Sequence, residues 1–284
     1  MTAEAMKDQH SRTDEGQVTI LPRIFLGTWD IRTRKDADRA VTSAVKTGYR
    51  GIDTAACYEN EELIRSSIDG CGIDRTELTV TSKLWNNSHG YDKALQAFDE
   101  SEKKLGSIDI YLIHWPGPVP GFLETWTALE HLFEQGRVKT IGVSNFMVPQ
   151  LEILLDRCRI RPMINQIECH LWYTDHPLLD YCRRKNIAVQ AFSPLSAGSG
   201  LIENETLRDI ANRLNRSPAQ VALRYLLQIG VIPIPKSSNP SRIAENFHIF
   251  DFRIPNSEIE ALCGMNRLVR TNKDPLGWFG QDYQ

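Results

Sequence analysis

Three stretches decide the fold: residues 49–55 (YRGIDTA), 78–85 (LTVTSKLW) and 108–116 (IDIYLIHWP). Each is a short apolar run rich in β-branched and aromatic residues, as expected of a strand covered on both faces. Working outward, 24–29, 140–145, 163–170, 188–195 and 231–237 read the same way, which makes eight strand candidates. A short hairpin is expected around 18–24, ahead of the first of them. Between the strands lie polar stretches of helical length. In one, Ala94, Ala97, Phe98 and Leu105 recur at helical spacing, and in another Trp126, Leu129, Leu132 and Phe133 do. Ser217-Pro218 reads as an N-cap followed by proline at the first helical position. A strand–helix repeat of this kind forces parallel pairing through right-handed crossovers. The fold class is therefore α/β, a (β/α)8 barrel of the TIM type, whose chemistry belongs at the carboxyl ends of the strands.

Length and composition fit that architecture. The chain has 284 residues and a net charge of −3 with both signs interspersed, so neither nucleic acid nor a membrane surface is an expected partner. Residues 18–284 read as one domain and residues 1–17 as a polar tail, disordered or left over from expression. That tail lacks the apolar stretch of a secretory signal, and no apolar run is long enough to cross a bilayer. Cys57, Cys71, Cys158, Cys169, Cys182 and Cys263 show neither a CxxC pair nor a metal-ligand spacing, so no metal site is expected. Scattered thiols fit a reducing compartment, and a cytoplasmic monomer is the expectation. The segment after Leu195, SAGSG, reads as a small mobile loop, and WPGPVPG after His114 as a short one stiffened by proline.

Four residues with chemistry in their side chains fall at or just past strand ends: Asp53, Tyr58, Lys83 and His114. A buried lysine paired with Asp53 keeps its proton, because the carboxylate offsets the desolvation of the ammonium. An ammonium near Tyr58 favours the phenolate and makes the phenol a usable general acid for a developing alkoxide. His114 can donate to or accept from the same oxygen. Each residue alone reads more simply as packing; their joint placement at strand ends is the signal.

At this point the sequence resembles the aldo-keto reductase family, from about Ile24 to Asn266. The matching motifs are Gly51-Ile52-Asp53-Thr54-Ala55 with Tyr58-Glu59-Asn60-Glu61, then Thr81-Ser82-Lys83-Leu84-Trp85-Asn86, then residues 109–116. The resemblance implies that Asp53, Tyr58, Lys83 and His114 form a catalytic tetrad that reduces small aldehydes or ketones. It also implies NADPH as cofactor. Lys236, Ser237 and Arg242 offer two cations and a hydroxyl near a helix start, which suits the 2′-phosphate. Glu245 and Asn246 would meet the adenine. Ser144, Asn145 and Gln166 would bind the nicotinamide carboxamide, and Phe192 would stack on its ring in a place where many members carry tyrosine. Gly27, Thr28, Asp53 and Leu195 match positions beside the cofactor, and Trp29, Tyr58, Trp85, His114 and Trp115 match the substrate pocket. No GxGxxG occurs, so a Rossmann domain is not the source of nucleotide binding. Arg65 and Leu171 depart from the family's usual glycine and proline, which alters local packing only. The short loops resemble bacterial members that act on methylglyoxal or diketogluconate. Two other readings stay open on the residues: a class I aldolase with Lys83 as Schiff-base nucleophile, and a non-enzymatic cofactor-binding regulatory subunit.

Overall fold

The computed structural model describes residues 9–12, 18–117, 119 and 121–277. Eight strands run parallel in sequence order: β3 (Phe25–Gly27), β4 (Gly51–Asp53), β5 (Thr79–Leu84), β6 (Ile110–Ile113), β7 (Thr140–Ser144), β8 (Ile164–Glu168), β9 (Ala188–Phe192) and β10 (Val231–Pro233). The ring closes where Gly27 N–H donates to Pro235 O at 3.0 Å and Gly27 bridges Lys236. The expected (β/α)8 barrel is the observed fold, and every expected strand is present, trimmed by one to four residues at one or both ends.

Ahead of the barrel, β1 (Gln9–Arg12) pairs antiparallel with β2 (Val18–Leu21). The expected hairpin thus begins nine residues earlier than the apolar pattern suggests, and Gln9–Arg12 pairs where a tail is expected. The rest of that tail, residues 1–8 and 13–17, lies outside the described residues.

Helices α1 (Arg34–Thr47), α2 (Glu61–Asp69), α3 (Tyr91–Leu105), α4 (Gly121–Glu134), α5 (Val148–Arg157) and α6 (His176–Arg184) each follow a strand. Two helices, α7 (Glu205–Arg213) and α8 (Pro218–Gln228), stand between β9 and β10, and α9 (Pro240–Phe247) and α10 (Asn256–Cys263) complete the set. Local sequence explains their limits. The Thr33 side chain accepts from Asp36 N–H to start α1, and Gly48 ends it at φ +121°. A side chain at Gly48 would strike the Phe247 ring, so glycine is required there twice over. Ser217 caps α8 through the Gln220 N–H, and Pro218 opens it, as the sequence indicates. The segment after Leu195 is not an open loop: it forms two 3-10 turns with Ser196 buried.

The pleat positions the site. Ser82 faces the helical layer, where its hydroxyl donates to Glu61 Oε1 at 2.6 Å. Alternation then turns Lys83 into the barrel, where it is 0% exposed. Asp53, at the end of the neighbouring strand, meets it there. A separate cleft of about 240 Å³ lies at the other end of the barrel, beside Ile187 and Gly230 and away from these side chains.

Candidate active site

Asp53, Tyr58, Lys83 and His114 converge. Lys83 Nζ donates to Asp53 Oδ1 at 2.6 Å, to Thr54 O at 2.9 Å and to Tyr58 OH at 3.3 Å. An ammonium has three protons, and each has an acceptor here. Because the phenol oxygen accepts from Lys83, its own proton is the one left to donate elsewhere. The ammonium also lies 4.9 Å from the Tyr58 ring centroid. The His114 ring sits edge-on to Tyr58 at 5.8 Å and to Trp85 at 5.2 Å. Burial, with the Lys83 charge second, holds the His114 pKa well below the ordinary imidazole value. The imidazole is therefore neutral at pH 7, with Nδ1 3.5 Å from Cys57 Sγ. Burial pushes the Cys57 thiol up to about 12, so it keeps its proton.

The loop carrying Tyr58 is braced from below. Thr54 donates to Asn60 Oδ1 at 2.7 Å, and Asn60 Nδ2 donates to Thr28 O at 2.9 Å. Thr28 in turn gives its N–H and hydroxyl to Asp53 O, at 3.0 and 2.9 Å. Sequence reasoning assigns no role to Asn60, although it ties the β3 and β4 ends together.

The depressed His114 pKa has a thermodynamic consequence. A histidine that must stay neutral when folded binds its proton first in the unfolded chain, below the ordinary value of about 6.5. Stability should therefore fall as pH drops through that value, by up to about 1.4 kcal/mol per pH unit for one proton. His89, which burial depresses in the same direction, adds a second contribution. Urea unfolding at pH 7.5 and 5.5 should show the loss, and His114→Gln should shrink it; an equal loss in the variant would dismiss His114 as a source.

Ser144, Asn145 and Gln166 are buried together at the ends of β7 and β8. Their hydrogen bonds refine the expected role. Both amide protons of Gln166 are committed, to Asp53 Oδ2 at 2.8 Å and Gln190 Oε1 at 3.0 Å. Only its oxygen remains to meet a carboxamide. Asn145 Nδ2 donates to His114 O at 3.0 Å and to Ser144 Oγ at 3.2 Å. Nothing in the local sequence marks Gln190, yet its oxygen fixes one proton of the Gln166 amide.

Phe192 and Leu195 are half-buried at the end of β9, and Gly27 is tied to Lys236 by the closing bridge. Lys236 and Arg242 are exposed, with no carboxylate within ion-pair distance among the described residues; Ser237 lies between them, 8% exposed. Asn239 caps α9 and takes the Ser241 and Arg242 N–H groups on its Oδ1, at 2.9 and 3.3 Å. Those two N–H groups are thereby engaged by the cap. Asn246 is buried and Glu245 half-buried on the same helix. At the mouth, Trp29 is 57% exposed while Trp115 is 7% exposed, with its carbonyl 3.1 Å from His89 Nε2. Trp115 thus presents less surface to a pocket than Trp29.

The described residues hold no His/Cys/Asp/Glu group able to bind a metal, and none of their helices is long and apolar enough to cross a membrane. The Aldo/keto reductase family profile matches residues 23–267. This chain belongs to the aldo-keto reductase family. It is 44% identical over 257 residues to glyoxal reductase of Bacillus subtilis, covering 90% of this chain and 92% of the relative. It is 43% identical over 263 residues to 9,11-endoperoxide prostaglandin H2 reductase of Trypanosoma cruzi, covering 91% and 93%. A Bombyx mori aldo-keto reductase, solved in complex with NADP, superposes with a TM-score of 0.85 at 37% identity over 94% of this chain and 95% of that one.

Proposed function

We propose that this chain reduces small aldehydes and ketones to alcohols with NADPH, with Tyr58 as general acid. The observation that carries the reading is the trio of Lys83 contacts: one ammonium joins Asp53 to the Tyr58 oxygen. When bound, NADPH supplies a hydride to the carbonyl carbon. Tyr58 delivers a proton to the carbonyl oxygen, and the Lys83 charge stabilises the phenolate that remains. Neutral His114 donates a hydrogen bond that orients the same oxygen. Asp53 holds Lys83, and Gln166 holds Asp53. A Schiff-base role for Lys83 is disfavoured because its three protons are engaged and its lone pair is unavailable.

The residues present suit the cofactor. Lys236 and Arg242, with no carboxylate within ion-pair distance among the described residues, flank Ser237 as a 2′-phosphate site, and Glu245 and Asn246 stand by for the adenine. Gln166 with Ser144 and Asn145 would take the carboxamide, with Phe192 against the ring and Gly27, Thr28 and Leu195 alongside. Arg242→Ala is expected to weaken NADPH binding by about 1–3 kcal/mol, the range for a charge-assisted hydrogen bond, and to spare NADH. Titrating both cofactors by fluorescence checks this; equal losses for the two would assign Arg242 another task.

The named relatives act on dissimilar molecules, so loop residues rather than the tetrad must set substrate choice. An NADPH-oxidation screen across short aldehydes, dicarbonyls and sugar-derived ketones tests the reading, and no consumption with any of them would reject it. A single-domain, cytoplasmic monomer is part of the same proposal, tested by sedimentation mass and cell fractionation.

A further inference from the structure

The Ala56–Tyr58 3-10 turn does more than present the Tyr58 phenol. Tyr58 N–H donates to Ala55 O at 3.0 Å and Glu59 N–H to Ala56 O at 3.1 Å, which holds the turn tight between β4 and α2. The same turn sets the Cys57 thiol beside the His114 ring, with Sγ 3.5 Å from Nδ1. The His114 backbone is anchored independently: its N–H donates to Leu84 O at 3.1 Å, and its carbonyl accepts from Asn145 Nδ2 at 3.0 Å. Among the described residues, the Cys57 contact is the one hydrogen bond made by either ring nitrogen. Nε2 has no such partner there, and it is not sealed in by protein atoms, so it is the nitrogen left to meet a substrate.

One ionic and two neutral arrangements exist for a thiol beside an imidazole. The ionic one, thiolate with imidazolium, requires a low thiol pKa and a raised imidazole pKa. Burial does the reverse to both groups: it pushes the Cys57 thiol up to about 12 and, with the Lys83 charge, holds His114 well below its ordinary value. Both partners are therefore neutral, and a single proton lies between them. Sulfur is a weak acceptor, whereas the bare nitrogen of an imidazole is a good one. Cys57 makes no other side-chain hydrogen bond among the described residues. If Nδ1 donated, the bond would use the weak acceptor and leave the S–H unmade. With the thiol donating, Nδ1 accepts and the ring proton sits on Nε2.

We infer that Cys57 is a positioning residue for His114: its thiol donates to Nδ1 and keeps the imidazole in the Nε2–H form, which aims a hydrogen-bond donor at the carbonyl oxygen. The opposite form would turn a lone pair toward that oxygen and repel it. An aliphatic side chain would fill the same place without setting the ring proton, so packing alone does not call for sulfur here. The aiming of the donor rests on the reductase reading above; the placement of the ring proton does not.

With isotope-labelled histidine, long-range proton–nitrogen correlations of the wild-type protein at neutral pH should show His114 protonated at Nε2 and bare at Nδ1. A proton on Nδ1 overturns the inference. Cys57→Val and Cys57→Thr have the same shape, and only threonine can donate. In Cys57→Val the His114 correlations should become those of a mixture of both forms. Its single-turnover rate with NADPH and glyoxal, or the fastest carbonyl of the screen above, should fall about three- to tenfold, the worth of one neutral hydrogen bond. A single turnover keeps product release from hiding the step. Cys57→Thr should retain the Nε2–H form and stay within about twofold of wild type, with NADPH affinity unchanged in both variants. If the branched pair does not fold, Cys57→Ser against Cys57→Ala makes the same comparison. Equal rate losses in donor and non-donor variants reduce Cys57 to packing and overturn the positioning role. A pure Nε2–H form in Cys57→Val also overturns it, because the thiol is then not what holds the proton. Mixed forms with an undiminished rate overturn the aiming. Wild-type protein that consumes no NADPH with any carbonyl of the screen rejects the reductase reading and the aiming with it, while the spectra still decide where the ring proton sits.

Discussion

Tyr58→Phe is expected to lower kcat for reduction of a simple aldehyde by about 100- to 10,000-fold, the usual contribution of a positioned general acid. The phenol oxygen accepts from Lys83 Nζ at 3.3 Å, so its own proton faces away from the ammonium. As hydride reaches the carbonyl carbon, negative charge grows on oxygen, and without the phenol that charge has no proton donor of matched acidity. Phenylalanine keeps the ring and its edge-on contact with His114, so the fold and NADPH affinity should scarcely change. Stopped-flow turnover combined with an NADPH titration checks both halves. Near-normal turnover would remove Tyr58 from the acid role and make neutral His114 the first residue to re-examine.

Why the tetrad is legible from sequence is a matter of topology. In a parallel barrel all strand ends of one polarity meet on one face, so residues 53, 83 and 114 converge whatever the intervening helices contain. The bracing is not legible in the same way. Gln166 lies 113 residues from Asp53, and which amide proton goes to which oxygen depends on side-chain packing that no local pattern records. Likewise, Asn239 reads as a loop polar residue, but as the α9 cap it removes the N–H groups that a phosphate would otherwise use. The segment after Asn266 has no periodicity to reveal its placement; Glu168, which the sequence shows only as one more residue of a strand, accepts from Thr271 and Asn272 within it. The Gln9–Arg12 strand is polar throughout and is defined by its partner, Val18–Leu21, rather than by its own residues.

Lys83→Met should cost both activity and stability, and the two effects have different origins. The substitution removes the charge that stabilises the Tyr58 phenolate, so kcat should fall within the same range as for Tyr58→Phe, about 100-fold or more. It also leaves Asp53, 3% exposed, without its cation. Gln166 still donates to Asp53 Oδ2, but a neutral amide does not replace a full charge 2.6 Å from Oδ1. Removing one partner of a buried ion pair typically costs about 3–5 kcal/mol, because the other charge stays buried. Methionine fills the space of the lysine stem, so the loss is electrostatic rather than a cavity effect. Adding Asp53→Asn to Lys83→Met should therefore recover much of the lost stability, since the stranded carboxylate is gone, while turnover stays low. Urea unfolding of the single and double variants separates the two terms. A double variant no more stable than Lys83→Met would mean that the cost comes from packing, and that the pair is not what holds Lys83 against Tyr58.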